Sequence, residues 1–123
     1  MKIFIVDDSP VIRERLTSTL SEVDGVEFVG EASNGIEARV TIPELKPDLV
    51  ILDIRMPQRN GIDVLRDVKT TIPALKVIIL TNYPYPQYRK KFMEEGVEFF
   101  FDKSTEFNKV PEVIKQLLQN SKQ

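Results

Sequence analysis

The chain has 123 residues, which suits a single domain. Its 17 basic and 19 acidic residues give a net charge of −2, which argues against a sequence-independent nucleic-acid binder, because such proteins carry a clustered basic surface. The absence of cysteine and histidine excludes disulfides, thiol catalysis, Ser-His-Asp catalysis, histidine metal sites and a phosphohistidine on this chain. Because the sequence shows neither a signal peptide nor an apolar run of about 18–20 residues, we expect a cytoplasmic protein without membrane contact.

Short apolar runs alternate with segments whose apolar residues recur at helical spacing, which predicts strands alternating with helices. The predicted strands cover residues 3–6, 26–32, 49–52, 76–81 and 98–101. After the first strand, Ser9 is a candidate helix cap and Pro10 suits the first helical position. A second helix is predicted over 34–42 and is expected to end at Pro43.

The second half of the chain continues the alternation of strands and helices. The third helix is predicted over 62–72, before Pro73, and the fourth is expected to end at Gly96. Pro111 is compatible with the last helix only in its first turn. Five strand–helix units with continuously apolar inner strands predict an α/β fold, a doubly wound parallel sheet covered on both faces; a small barrel would need more strands.

Polar side chains stand at the carboxyl ends of the predicted strands, where parallel sheets bind ligands. Asp7 and Asp8 follow the first strand, Asp53 follows the third, Thr81 ends the fourth and Lys103 follows the fifth. Three neighbouring carboxylates repel one another, so we expect a cation to hold them together. Oxygen ligands favour a hard divalent ion, and Mg²⁺ is favoured over Ca²⁺ because a few carboxylates and several waters suffice for it.

A carboxylate beside Mg²⁺ and a lysine could attack a phosphoryl group and form an aspartyl phosphate. The motifs "VDDS", "LDIRMPQRNG", "LT" and "DKS" occur in that order, and with them the chain resembles the receiver domain of two-component response regulators, of the chemotaxis-regulator type. The resemblance covers residues 1–119 and leaves 120–123 as a short polar tail. It implies a flavodoxin-like (βα)5 fold with the strand order 2-1-3-4-5.

The resemblance also implies a metal site. Asp7 and Asp8 would organise Mg²⁺, Asp8 more directly, and Asp53 and the backbone carbonyl of Arg55 would complete the protein ligands. For the Arg55 side chain two interpretations stay open: a solvated loop cation, or a group that shields the phosphoryl group.

By the same resemblance, Asp53 would be the phosphoacceptor. Lys103 would pair with one phosphoryl oxygen, and the Thr81 hydroxyl would hydrogen-bond to another. Thr81 and Phe100 would form the switch, in which Thr81 moves inward and the aromatic ring turns into the vacated space. Since Phe100 has no hydroxyl, this switch would work by packing alone.

The sequence departs from the family pattern near the expected site. Proline often follows the lysine, but Ser104 stands here, which leaves the geometry of that peptide bond open. Pro57 and Gly61 are expected to turn the chain sharply after Asp53 and leave its carboxylate exposed. A small residue usually follows the threonine, whereas here the bulky segment 82–86 is expected to restrict water and slow dephosphorylation.

The resemblance implies a regulatory protein, not a metabolic enzyme, that receives phosphate from a histidine kinase or histidine phosphotransfer protein. Its output would be a downstream protein target or a homodimer, through the last two strand–helix units, without direct binding to nucleic acid. One alternative is a receiver-fold binding module that is not phosphorylated; another is an aspartyl-phosphate phosphohydrolase, which turnover of small phosphate esters would reveal. The chain is either a stand-alone receiver or part of a longer regulator.

Overall fold

The computed structural model describes residues 1–55 and 61–121 and contains one parallel sheet of five strands. The strands are β1 (Lys2–Val6), β2 (Glu27–Ala32), β3 (Leu49–Leu52), β4 (Lys76–Thr81) and β5 (Phe99–Asp102). Their order in the sheet is β2-β1-β3-β4-β5, and every neighbouring pair is parallel. The predicted doubly wound, flavodoxin-like fold is confirmed.

A helix follows each strand. The helices are α1 (Pro10–Leu20), α2 (Gly35–Leu45), α3 (Gly61–Thr71), α4 (Pro86–Glu94) and α5 (Lys109–Ser121). Ser9 caps α1 as predicted: its side chain accepts a hydrogen bond from the amide of Ile12 at 3.3 Å, with Pro10 at the first helical position. Gly96 lies just after α4 with a φ of 95°, a conformation that glycine adopts without steric cost.

The predicted end of the second helix was wrong. Pro43 lies inside α2, which continues to Leu45 and closes at Lys46 in a left-handed conformation (φ 49°). Proline removes only one helical hydrogen bond at this position, while the added turn lets Leu45 pack against the apolar core beside Gly30. Tertiary burial therefore outweighs the local preference to stop.

The sheet separates two hydrophobic cores. One contains buried residues of α2, α3 and α4, and the other contains buried residues of α1 and α5. The three consecutive phenylalanines of β5 divide between them: Phe100 lies in the first core, while Phe99 and Phe101 face the second. This is the alternation that a strand imposes on neighbouring side chains.

Two further points from the sequence concern the turn at Pro57 and the peptide bond after Lys103. Pro57 lies outside the described residues. The bond between Lys103 and Ser104 is trans, as are the other described peptide bonds. Across residues 1–55 and 61–121, no helix combines the length and apolar character that crossing a bilayer requires.

Candidate functional site

Backbone hydrogen bonds place the ends of neighbouring strands side by side. The amide of Asp53 donates to the carbonyl of Val6 at 3.0 Å, which aligns the residue after β3 with the end of β1. The amide of Lys103 donates to the carbonyl of Thr81 at 2.8 Å, which does the same for β5 and β4. The polar side chains that follow the strands therefore share one edge of the sheet.

Three carboxylates meet at this edge. One oxygen from each of Asp7, Asp8 and Asp53 lies within 4.8 Å of the other two. Asp8 is exposed, whereas Asp7 is 2% exposed and Asp53 is 5% exposed. The expected exposure of Asp53 was therefore wrong, because its carboxylate is buried beside the side chain of Lys103.

Lys103 bridges two of the acids. Its Nζ lies 2.7 Å from Asp7 Oδ2 and 3.1 Å from Asp53 Oδ2, and the residue is 7% exposed. Burial alone would lower the pKa of Lys103, but the hydrogen bond to Asp7 and the charges of Asp53 and Asp7 outweigh burial and raise it. The side chain is therefore a permanent ammonium at neutral pH, held between two carboxylates.

The pKa of the Asp53 carboxyl is also raised, but here burial acts in the direction of the shift. Burial is the largest influence and raises its pKa, and the nearby charge of Asp7 acts in the same direction. Lys103 opposes both, and so does a weak hydrogen bond of 3.4 Å from the Arg55 amide to Asp53 Oδ1, but the net shift is upward. The ionised carboxylate is thus poorly solvated and more basic than an aspartate in water.

The acids fit a divalent metal ion. If all are ionised, three carboxylates and the Lys103 ammonium carry two net negative charges, which a divalent cation would neutralise. Carboxylate oxygens are the ligands of hard cations such as Mg²⁺, and the exposed Asp8 leaves one side open for the waters that Mg²⁺ retains. The amide contact of Arg55 with Asp53 brings the Arg55 backbone to the same cluster.

Thr81 ends β4, at the edge of the sheet that carries the acids, and Phe100 lies on the neighbouring strand β5. Thr81 is fully buried, and its Oγ1 accepts a hydrogen bond from the Tyr83 amide at 2.9 Å. Phe100 is 2% exposed and pairs with Ile79 in the sheet, and its ring lies 6.1 Å from that of Phe92 in α4. The Thr81 hydroxyl, which accepts from the Tyr83 amide, can still donate its own hydrogen to another acceptor.

Gly61, the first residue of α3, packs directly against the chain beside Asp53. A Cβ atom built on Gly61 would lie 2.6 Å from Ile54 Cα and 2.9 Å from the Asp53 carbonyl oxygen, both backbone atoms. The Gly61 amide donates to the Ile54 carbonyl at 2.8 Å. Glycine is therefore needed here for close approach of two backbone segments.

Two arginines have partners that the sequence did not indicate. The Arg55 guanidinium lies over the Tyr83 ring, 4.4 Å from its centroid, and Nη2 donates to the Tyr88 hydroxyl at 3.3 Å. In α1, Nη1 of Arg13 donates to the Asp7 carbonyl at 2.7 Å. For Arg55 the aromatic segment after Thr81 was an available signal; for Arg13 no sequence motif identified the contact.

Comparison with known proteins identifies the family. Residues 3–115 match the model of the response regulator receiver domain. The response regulator protein VraR of Staphylococcus saprophyticus is 31% identical over 98% of this chain, and the DNA-binding transcriptional activator DevR/DosR of Mycobacterium tuberculosis is 40% identical over 68%. These matches span 57% and 38% of those two proteins, so the chain corresponds to part of their length.

A solved structure gives the same result. The response regulator domain of Thermotoga maritima CheB superposes with a TM-score of 0.84 at 28% identity, over 97% of this chain and 94% of that domain. The match of the family model over most of the chain, together with this superposition, decides the assignment. The chain belongs to the response regulator receiver domain family.

Proposed function

We propose that the chain is a phosphoacceptor switch in which Asp53 takes a phosphoryl group from a phosphohistidine of a separate histidine kinase or histidine phosphotransfer protein. The observation that carries the proposal is the placement of the Asp53 carboxylate, 3.1 Å from the buried Lys103 ammonium and within an acid cluster of 4.8 Å. A carboxylate so placed has a nucleophilic oxygen and a fixed positive charge beside it.

In the transfer, an Asp53 oxygen attacks phosphorus as the bond between phosphorus and the donor imidazole breaks, and that electron pair stays on the imidazole nitrogen. The poor solvation that raises the pKa of Asp53 also makes its carboxylate a stronger nucleophile. Lys103 would pair with a phosphoryl oxygen, and the Thr81 hydroxyl would donate to another.

The acids would hold Mg²⁺ through Asp7, Asp8, Asp53 and the backbone carbonyl of Arg55. Bound Mg²⁺ would neutralise negative charge on the phosphoryl oxygens during transfer. Before transfer, Lys103 lies between Asp7 and Asp53 and keeps their carboxylates together despite their repulsion.

The switch would begin at Thr81 and reach Phe100. Drawing the Thr81 hydroxyl toward a phosphoryl oxygen would strain its contact with the Tyr83 amide and move the connection between β4 and α4. Phe100 lies on the neighbouring strand and packs against Phe92 of α4, so its ring would respond by repacking. Because phenylalanine has no hydroxyl, this switch would work by packing and not by a side-chain hydrogen bond.

The surface formed by the last two strand–helix units, from β4 to α5, would bind a downstream protein or a second copy of the chain. Tyr85 and Met93 at α4 are 49% and 45% exposed, which supports a contact surface there. We propose no contact of this chain with nucleic acid or membrane, and a cytoplasmic location. We assign residues 1–119 to the receiver and 120–123 to a tail, whose first two residues continue α5. We regard the role of the chain as regulation, not metabolism.

The intact mass after incubation with acetyl phosphate and Mg²⁺ tests this function. Wild type should gain a single phosphoryl adduct, and the adduct should be absent in Asp53→Asn and in the presence of excess chelator. Asp24→Asn, which removes an exposed acid elsewhere, is the matched control and should be phosphorylated normally. A wild-type protein that gains no adduct would overturn the proposal and favour a binding module.

A further inference from the structure

The short connection between β1 and α1 holds two of the three acids. The Asp7 amide donates to the Ala32 carbonyl at 3.0 Å, and Asp7 Oδ1 accepts from the Ser9 amide at 2.8 Å. These contacts fix the amide and the carboxylate of Asp7. The direction of the peptide unit between Asp7 and Asp8 also depends on what binds the Asp7 carbonyl.

Arg13 holds that carbonyl. Its Nη1 donates to the Asp7 oxygen at 2.7 Å from the first turns of α1. Because a peptide unit is planar, fixing the carbonyl also fixes the amide of Asp8 and the position of its Cα. The Asp8 side chain is exposed, so this backbone contact limits where its carboxylate can lie.

Arg13 also forms an ion pair with Glu31, although its buried Nε makes no hydrogen bond to the described residues. Its Nε lies 3.3 Å from Oε1 of Glu31 on β2, and its side chain is 15% exposed while that of Glu31 is 53% exposed. The planar guanidinium therefore connects α1 with both the β1–α1 connection and β2. The compact ammonium of a lysine is less suited to contact two groups at once. Glu31 also offsets the positive charge that Arg13 brings toward the acid cluster.

We propose that Arg13 is a positioning residue for the Mg²⁺ site: it orients the Asp7–Asp8 peptide so that both carboxylates face the ion. The inference rests on the proposed function, because it assumes that these acids bind Mg²⁺. Residues that orient metal ligands typically contribute about 10- to 100-fold in affinity.

The charge of Arg13 and its proposed positioning role predict opposite effects on the affinity for Mg²⁺. If Arg13 acted only through its charge, removing it would strengthen Mg²⁺ binding, because a cation repels a cation. If Arg13 positions the acids, removing it weakens binding. A residue that supports only the fold would lower the unfolding temperature and leave the Mg²⁺ affinity of the folded protein unchanged.

The test is calorimetric titration of Mg²⁺ into chelator-treated wild type, Arg13→Gln, Arg13→Lys and Arg15→Gln, each checked for folding by circular dichroism. Arg13→Gln should raise the Kd about tenfold, and Arg13→Lys should raise it less because the ammonium can still donate to the Asp7 carbonyl. Arg15→Gln is the matched control, since Arg15 lies over the Phe107 ring, and should match wild type.

The outcomes separate the two proposals. An Arg13→Gln protein that binds Mg²⁺ as tightly as wild type, or more tightly, overturns the positioning role while the proposed function stands. If Arg13→Gln does not fold, the Kd of Arg13→Lys decides in the same way. A wild type that binds no Mg²⁺ overturns the positioning role and the metal site, and the phosphoryl adduct experiment decides separately whether Asp53 is an acceptor.

Discussion

The Arg55 guanidinium lies over the ring of Tyr83, 4.4 Å from its centroid. This contact connects the chain just after Asp53 with the chain just after Thr81, and the Tyr88 hydroxyl extends it to α4. We expect the pair to limit the access of water to a phosphoryl group on Asp53, because it joins the segments that follow Asp53 and Thr81.

Tyr83→Ala should therefore speed dephosphorylation of Asp53 several-fold, because it removes the ring and one of the two contacts that hold Arg55. The decay of the phosphoryl adduct, followed by intact mass after removal of the phosphate donor, measures the rate. Tyr85→Ala is the control: Tyr85 contacts Tyr88, at 5.6 Å between ring centroids, but not Arg55. An unchanged decay rate in Tyr83→Ala would contradict the shielding role.

Asp53→Asn should stabilise the protein near neutral pH in the absence of metal. Burial, with the charge of Asp7, raises the pKa of Asp53 above its usual value of 3.8. When folding raises the pKa of a carboxyl group, the stability that the group contributes is complete below about pH 3.8 and is lost as the pH rises through the folded-state pKa. The ionised form of Asp53 therefore lowers the stability of the fold near neutral pH. Lys103 retains Asp7 as a partner in the variant.

Thermal unfolding as a function of pH in chelator checks this. The midpoint of Asp53→Asn should exceed that of wild type near neutrality, and the gain should vanish in acid, where wild-type Asp53 is protonated. Asp7→Asn should instead lower the midpoint, because Asp7 is the closer partner of the buried ammonium, at 2.7 Å. If Asp53→Asn unfolded at a lower temperature than wild type near neutral pH, the predicted direction of the effect would be disproved.

Lys103→Met should destabilise the metal-free protein by about 3 kcal/mol, because removing one partner leaves buried carboxylates without compensation. Mg²⁺ should restore part of the loss, since it supplies positive charge to the same acids. Urea unfolding with and without Mg²⁺ gives both quantities. The exposed Lys109, which pairs with Glu106 at 3.0 Å, provides the control Lys109→Met, whose effect should stay within about 1 kcal/mol. Equal losses in the two variants would be evidence against a central role for Lys103.

Gly61→Ala should destabilise the fold by about 1–3 kcal/mol, because the new methyl group collides with the backbone of Ile54 and Asp53. The same collision displaces Asp53, so the rate of phosphorylation by acetyl phosphate should fall as well. Gly96→Ala is strained by its positive φ but meets no atom within 4 Å, so it should lose stability while keeping the wild-type phosphorylation rate. If Gly61→Ala phosphorylates at the wild-type rate, close approach does not position Asp53.

Much of the fold could be predicted from local patterns. The strands 49–52 and 76–81 coincide with β3 and β4, because a strand buried on both faces reads as a continuous apolar run. The strand at 98–101 was displaced by one residue, since Asp102 joins β5 through its pairing with Thr81. Pro43 shows the limit of local rules, because α2 continues past it to Leu45, a partly buried residue that packs against the core.

The acids could also be located from the sequence, because strand ends determine where they lie. The partners of the long side chains could not. Lys103 bridges two carboxylates, a contact that the sequence did not indicate, and Arg13 reaches a backbone carbonyl that no motif marks. Such contacts depend on rotamers and on the relative placement of separate elements, which residue spacing does not encode.

The alternation of the three phenylalanines in β5 has a consequence for how a signal could spread. Phe100 belongs to the layer of α2, α3 and α4, while Phe99 and Phe101 belong to the layer of α1 and α5, with the sheet between them. If phosphorylation repacks the Phe100 ring, we therefore expect the first packing changes in the layer of α2, α3 and α4. They would reach the layer of α1 and α5 only through β5, the strand that carries all three rings.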